Sequence, residues 1–254
     1  MIYTALQQAR SQGRKQLAVL IDPDKTSRES VIALADMAAQ HGIDYFFWGG
    51  SLISDTQADY YLSLLRSHTQ KPIVLFPGNM YQISPRADGI LLLSLISGRN
   101  PDLLIGQHVL AAPRLKKSKL EVLPTGYILI DGGVPTSVSY LSNTQPIPAD
   151  KPDIARCTAL AGIMLGLRLI YLDAGSGARR PVGDDVIAAV RHEVDVPLIV
   201  GGGLRSPEAA VKALEAGADL VVVGNSLEKD ISWLPDLCAA VRSVSSNKAE
   251  RIES

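Results

Sequence analysis

Three side chains that could do chemistry follow apolar segments of the kind that form β-strands. Asp22 comes directly after the first such segment, Ser51 lies shortly after the second, and Asp173 comes directly after the sixth. A carboxylate can act as a general base, and carboxylate and hydroxyl oxygens are ligands that suit Mg²⁺. For Asp22 and Asp173 a turn-capping role is the alternative, since aspartate often accepts hydrogen bonds from its own turn.

Glycine-rich turns follow three of these segments. Gly201–Gly203 and Gly224–Asn225 end the last two, and Gly175–Gly177 lies just beyond Asp173. Glycine lets the backbone approach a ligand closely, and exposed backbone N–H groups bind phosphate. Two consecutive strand ends of this kind predict a phosphate site. Turns that serve chain geometry alone are the alternative.

Eight short apolar segments predict the elements that position these residues. They are Leu17–Ile21, Tyr45–Trp48, Ile73–Phe76, Gly89–Leu93, Gly126–Ile130, Leu169–Leu172, Leu198–Val200 and Leu220–Val223. Their continuous apolar character is typical of parallel strands covered on both faces. Helical patterns occur between them, at Ser27–Gln40, Asp153–Gly166, Asp184–His192 and Ser206–Ala216. Eight such units predict an α/β fold, the (β/α)8 TIM barrel, with a doubly wound open sheet as the alternative.

The composition is that of an ordinary globular protein. The 254 residues are 46% hydrophobic and 20% charged, with a formal net charge of −1. This balance offers no basic surface, so we expect no nucleic-acid partner. Two cysteines are too few for a disulfide scaffold or a four-cysteine zinc site and fit a reducing compartment. We expect a single domain over residues 1–254, with a flexible tail at 243–254.

No targeting or membrane-spanning segment is predicted. Met1–Gln16 is polar, and Arg168 interrupts the longest apolar stretch, Ala159–Leu172. A spanning helix needs about 20 apolar residues. We therefore expect a cytoplasmic protein whose contact with a membrane, if any, is peripheral. A glycine fingerprint for dinucleotides and a phosphate-binding lysine loop of NTPases are both absent.

Taken together, the motifs resemble the geranylgeranylglyceryl phosphate synthase family. The matching stretches are LIDPDK (Leu20–Lys25), WGGSLIS (Trp48–Ser54), GRNPDLLIGQH (Gly98–His108), LPTGYILIDGG (Leu123–Gly133), YLDAGSGA (Tyr171–Ala178), IVGGGLRSPEAA (Ile199–Ala210) and ADLVVVGNSLEKD (Ala218–Asp230). The glycine turns recur in many phosphate-binding barrels. Asp-Pro-Asp-Lys, Gly-Gly-Ser and Tyr-Leu-Asp-Ala-Gly-Ser-Gly in this order are much more specific. The long form of LPTGYILIDGG and YLDAGSGA resembles the archaeal-type subgroup of the family.

The resemblance implies a prenyltransferase that uses Mg²⁺ and makes ether lipids. Such an enzyme joins the 3-hydroxyl of sn-glycerol 1-phosphate to geranylgeranyl diphosphate, or a similar prenyl diphosphate, and releases diphosphate. By position, Asp22 and Ser51 would hold Mg²⁺. Glycerol phosphate would contact Tyr171, Leu172, Asp173, Ala174, Gly175, Ser176, Gly177, Gly202, Gly203, Gly224 and Asn225. The resemblance also suggests a homo-oligomer, a dimer or a hexamer.

Two residues are candidates for the chemistry itself. Asp173 is the best-placed acceptor for the proton of the glycerol hydroxyl, and Lys25 could add positive charge at the departing diphosphate. Two positions depart from the family pattern. Asp173 stands where many members carry glutamate, so its carboxylate reaches less far, and Ile96 stands where many carry asparagine.

A prenyl chain needs a long apolar groove. The candidates for its lining are Phe76, Leu93, Leu95, Tyr127, Ile128 and Tyr140. Packing in the barrel or its helices is the alternative for each of them.

Three other functions stay open at this point. One is a prenyltransferase that takes phosphoglycerate as acceptor. Another is a phosphosugar isomerase or lyase, which would share the glycine turns but would leave Asp22–Lys25 and Gly49–Ser51 without a role. The third is a barrel without catalytic activity that senses a phosphorylated ligand.

Overall fold

Eight parallel strands close into one barrel in the order of the sequence. The structure, a computed structural model, describes residues 1–54 and 57–250, with side chains through residue 245. The strands are β1 Gln16–Ile21, β2 Tyr45–Trp48, β3 Ile73–Leu75, β4 Gly89–Leu95, β5 Glu121–Leu129, β6 Leu169–Asp173, β7 Leu198–Gly201 and β8 Leu220–Val223. Because β8 also pairs with β1, the predicted (β/α)8 barrel is confirmed and the open sheet is excluded.

The α-helices surround this barrel. They are α1 Ile2–Ser11, α2 Arg28–His41, α3 Ala58–His68, α4 Gln107–Lys117, α5 Ser137–Ser142, α6 Pro152–Met164, α7 Asp184–Glu193, α8 Pro207–Ala216, α9 Asn225–Lys229 and α10 Leu234–Glu250. The four helical patterns of the sequence correspond to α2, α6, α7 and α8. Ser27 and Ser206 cap two of them as their positions predict, each accepting a backbone hydrogen bond three residues on.

Two regions of the chain differ from the expectation. The polar N-terminal segment contains α1, whose Ile2 and Leu6 are buried. The side chain of Glu121 accepts hydrogen bonds from the backbone of Ile2 and Tyr3, so a residue far along the chain caps this helix. At the other end, α10 continues through residue 250, so the described part of the predicted tail is helical. The flexibility of that segment stays a prediction, and residues 251–254 lie outside the described ranges.

The strands separate an inner from an outer apolar layer. Along β6, Tyr171 packs among inward-facing side chains, whereas Leu172 packs between the sheet and the helices. This alternation follows from the two-residue period of a strand. Because all eight strands are parallel, the residues that follow their carboxyl ends lie at one rim of the barrel. Catalytic groups of such barrels lie at this rim.

Within the described ranges, no helix has the length and apolar character needed to cross a membrane.

Candidate active site

A cleft of about 780 Å³ opens at the carboxyl ends of the strands. Twelve of the predicted site residues line it: Asp22, Lys25, Ser51, Tyr171, Asp173, Gly175, Ser176, Gly177, Gly202, Gly203, Gly224 and Asn225. The cleft has a polar arm at β6–β8 and an apolar arm at β3–β5. Asp173 and Tyr171 lie where the two arms meet.

The remaining two predicted contact residues, Leu172 and Ala174, do not line the cleft. Leu172 is fully buried on the outer side of β6, and Ala174 is buried with its N–H donated to the carbonyl of Gly201 at 3.1 Å. Their side chains serve the packing of the barrel, which the alternation along β6 explains.

Asp173 is a buried carboxylate held by two donors. The Tyr127 hydroxyl donates to Oδ2 at 2.5 Å, and the Gly175 N–H donates to Oδ1 at 2.8 Å. Burial raises the pKa of the Asp173 carboxyl, and these two hydrogen bonds oppose the rise. The carboxylate is thus held in one orientation at the centre of the cleft, as a general base requires.

An aromatic cluster forms the floor around Asp173. Phe76 stacks on Tyr171 with ring centroids 5.2 Å apart, and Tyr127 meets Tyr171 edge-on at 5.5 Å. Burial, with the nearby charge of Asp173, raises the pKa of both tyrosine hydroxyls well above its ordinary value. Both tyrosines therefore stay protonated near neutral pH, and Tyr127 acts as a hydrogen-bond donor.

The polar arm depends on glycine at the end of β7. Gly202 and Gly203 have φ angles of +77° and +71°, in the left-handed region that favours glycine. A Cβ on Gly202 would lie 2.6 Å from the backbone nitrogen of Gly175 and would also collide with the Asp173 carboxylate. The turns after β6 and β7 are thus in direct contact. Asn225 joins them to β8 by donating to the Ser176 hydroxyl at 2.8 Å.

Charged and hydroxyl groups meet at the ends of β1 and β2. Lys25 Nζ lies 2.7 Å from Asp22 Oδ2 in an ion pair. Gly50 lies against the Asp22 carboxylate, since a Cβ there would lie 3.1 Å from Oδ1, and the next residue, Ser51, lines the same cleft as Asp22. Aspartate and hydroxyl oxygens form the kind of donor set that Mg²⁺ accepts, with water and phosphate oxygens completing its shell. The described residues contain no group of three or more His, Cys, Asp or Glu side chains that could hold a metal alone.

Four of the six predicted groove residues line the cleft: Phe76, Leu93, Leu95 and Tyr127. Their contact with a prenyl chain stays a prediction. The prediction was wrong for Ile128, which faces the outer layer, and for Tyr140, which is 85% exposed and lies on a separate shallow depression. Further lining comes from Ile83, Ile90, Leu92, Leu103, Ala111, Leu115, Val138 and Leu141.

The sequence patterns did not identify several polar residues of the cleft, among them Tyr127 and His108. Tyr127 was expected only as groove lining, although its register opposite Tyr171 in the β5–β6 pair directs both side chains inward. His108 lies in the apolar arm, where Nε2 is 3.1 Å from the Ser94 hydroxyl and burial lowers the pKa of the imidazole. No local signal distinguishes His108 from a surface histidine, because the apolar surroundings come from other elements.

Comparison with known families matches residues 10–242 to the PcrB family. The chain belongs to the PcrB family. Relatives in this family include the geranylgeranylglyceryl phosphate synthases of Spirosoma linguale, 56% identical over 94% of this chain and 96% of that protein, and of Pyrococcus furiosus, 43% identical over 83% of each. These names confirm the family resemblance and the predicted enzyme class, a transferase of prenyl groups.

A solved structure agrees with this assignment to the PcrB family. It is (S)-3-O-geranylgeranylglyceryl phosphate synthase from Thermoplasma acidophilum in complex with its substrate sn-glycerol-1-phosphate, with a TM-score of 0.90 and 32% identity over 96% of this chain and 99% of that one. By contrast, the tryptophan synthase α-subunit of Pyrococcus furiosus, at 14% identity and a TM-score of 0.55, shares the fold alone.

Replacing Gly202 by alanine tests the polar arm. The added Cβ must displace the turn after β6 and the Asp173 carboxylate. If sn-glycerol 1-phosphate binds there, as the family resemblance implies, we expect Gly202→Ala to weaken its binding by at least about tenfold in calorimetry. Gly166→Ala is the matched control, since Gly166 also has a positive φ, +88°, but has nothing within 4 Å of a Cβ. Equal binding by both variants would contradict the contact between the turns.

Proposed function

We propose that this chain transfers a geranylgeranyl group, or a similar prenyl group, from its diphosphate to the 3-hydroxyl of sn-glycerol 1-phosphate. The observation that carries the proposal is Asp173, a buried and oriented carboxylate at the junction of a glycine-lined polar arm and an apolar arm. One arm suits a phosphorylated acceptor and the other a hydrocarbon chain. The names of the relatives and the ligand of the Thermoplasma acidophilum structure support the same reaction.

The acceptor phosphate binds at the glycine turns. Gly202 and Gly203 leave room for a ligand to approach the backbone, and the Gly224–Asn225 turn lies across the same arm. Backbone N–H groups can donate to phosphate oxygens without a side chain between them. A phosphate there leaves the other end of the glycerol directed toward Asp173.

Asp173 receives the proton of the reacting hydroxyl. The hydroxyl oxygen forms a bond to C1 of the prenyl group, the bond from C1 to the diphosphate oxygen breaks, and diphosphate leaves with the electron pair. The hydroxyl proton passes to the carboxylate of Asp173. Burial raises the pKa of this group, which makes it a stronger base than an exposed aspartate, and the Tyr127 hydroxyl keeps it oriented.

The diphosphate is handled at the ends of β1 and β2. Asp22 and Ser51 would hold Mg²⁺, which supplies Lewis-acid stabilisation of the negative charge that develops on the leaving group. Lys25, with a half-exposed side chain next to Asp22, adds a mobile positive charge at the same end of the cleft.

The apolar arm holds the prenyl chain. Its aliphatic walls and the Phe76 ring exclude water from the hydrocarbon, which favours binding in proportion to the buried apolar area. A cytoplasmic location, peripheral contact with a membrane that receives the lipid product, and a homo-oligomeric state stay predictions.

A direct assay tests the reaction. Purified protein, Mg²⁺ and labelled sn-glycerol 1-phosphate are incubated with prenyl diphosphates of several lengths, and label extracted into organic solvent is counted. We expect extractable label that is lost with EDTA, with the sn-3 enantiomer and in Asp22→Asn at low Mg²⁺. If labelled phosphoglycerate gives extractable label and labelled sn-glycerol 1-phosphate gives none, phosphoglycerate would replace the proposed acceptor. Retained glycerol phosphate binding without transfer to either acceptor would overturn the enzymatic proposal.

Removing the base separates catalysis from binding. Asp173→Asn keeps the shape and an acceptor for Gly175 but cannot take a proton. We expect turnover to fall by at least about 100-fold. Calorimetry should show that affinity for sn-glycerol 1-phosphate changes only about threefold or less. Asp184→Asn, at an exposed acid in the first turn of α7, serves as the control. Unchanged turnover in Asp173→Asn would remove Asp173 as the base.

The pH profile tests the Tyr127 hydrogen bond. This bond lowers the pKa of Asp173, so Tyr127→Phe should raise that pKa further. As the pH falls, the Asp173 carboxylate would then become protonated at a higher pH than in the native chain. The acidic limb of the kcat/KM profile would shift to higher pH. Tyr45→Phe is the control, because Tyr45 is a buried barrel tyrosine that bonds Gln16 and does not touch Asp173. A limb that stays in place, or moves downward, would contradict the assigned role.

A further inference from the structure

Glu228 is a half-buried acid that the proposed reaction does not use. It lies on α9, shortly beyond the Gly224–Asn225 turn, and its Oε1 atom is buried without a hydrogen-bond partner. Leaving a carboxylate oxygen out of water and unpaired is unfavourable. A cation that could reach this atom would be stabilised there.

Barrel closure places Glu228 beside the end of β1. Pairing of β8 with β1 brings Gly224 against Leu20, where a Cβ would lie 3.2 Å from the Leu20 side chain and carbonyl. Burial and the nearby charge of Asp22 raise the pKa of the Glu228 carboxyl, whereas the Lys25 ammonium and a hydrogen bond from the Asp22 backbone lower it. The acid is therefore within electrostatic reach of both Lys25 and Asp22.

Lys25 and a divalent cation would compete for Asp22. The ammonium lies 2.7 Å from Asp22 Oδ2, on the carboxylate proposed to hold Mg²⁺. Two cations on one carboxylate repel each other, so entry of the metal favours departure of the ammonium. The Lys25 side chain is 48% exposed, against 16% for Asp22, so the lysine is the partner with room to move.

We propose that Glu228 is a positioning residue that receives the Lys25 ammonium when a divalent cation binds at Asp22. The inference rests on the proposed metal site. The exchange breaks only an ion pair and needs rotation of the lysine side chain. The exchange keeps the Lys25 ammonium at the end of the cleft where the diphosphate would bind, and it leaves the Asp22 carboxylate free to bind the metal.

A double-mutant cycle on metal binding tests this exchange without relying on turnover. Binding of Mn²⁺, a paramagnetic substitute for Mg²⁺, is measured by electron paramagnetic resonance for Glu228→Gln in the native chain and in the Lys25→Met background. With Lys25 present, loss of its alternative partner should weaken Mn²⁺ binding by about fivefold. With Lys25 absent, the same substitution should change binding by less than about twofold.

Each outcome separates one explanation from another. Equal weakening in both backgrounds means that Glu228 acts on the metal directly, and no weakening means that it does not act at all; either result overturns the exchange. Mn²⁺ binding that survives Asp22→Asn unchanged overturns the metal site itself and the exchange with it. Glu215→Gln, at an exposed acid on α8, should leave Mn²⁺ binding unchanged. Glu228→Asp, which retracts the oxygen but keeps its charge, should show the same background dependence if Glu228→Gln does not fold.

Discussion

The pairing of β8 with β1 is the constraint on which the site depends. Its register sets Val19 opposite Val223, so the last strand ends beside the first strand, two residues before that strand ends. If the same strand order were left open, these two strands would lie on opposite edges of the sheet. Closure instead brings the carboxylate and lysine after β1 to the rim that carries the glycine turns after β7 and β8. In the proposed reaction, the donor diphosphate and the acceptor phosphate then face each other across one cleft.

Burial inside the closed barrel sets the chemistry of Asp173. The low-dielectric interior favours the neutral acid, whereas the Tyr127 hydroxyl and the Gly175 N–H favour the carboxylate. The balance yields a carboxylate that is more basic than a surface aspartate and is held in a single orientation. The stacked rings of Phe76 and Tyr171 complete the floor, and they keep water from the side of the carboxylate that faces the barrel interior.

The two arms of the cleft are built by different parts of the chain and suit different ligand groups. Loops after β6, β7 and β8 offer backbone groups and small residues, which suit a phosphate. The strands β3–β5 and α4 offer aliphatic side chains, which suit a hydrocarbon. Between them, Asp22, Lys25 and Glu228 form a charge cluster in which the acids outnumber the lysine. Such a cluster can accept a divalent cation, because one carboxylate can pair with the lysine while the other binds the metal.

Local sequence determined the elements and the turns, whereas tertiary structure decided the partners. β2 and β8 begin and end as their apolar segments predict. The serine caps, the glycine turns and the position of Asp173 at a strand end can also be predicted from the sequence. Hydrophobic periodicity and turn chemistry are local properties of the chain. The α1 cap by Glu121, the bond from Tyr127 to Asp173 and the position of Glu228 beside Lys25 were not readable. Each joins residues from separate elements. Such distances depend on strand register and barrel closure, which no single segment encodes.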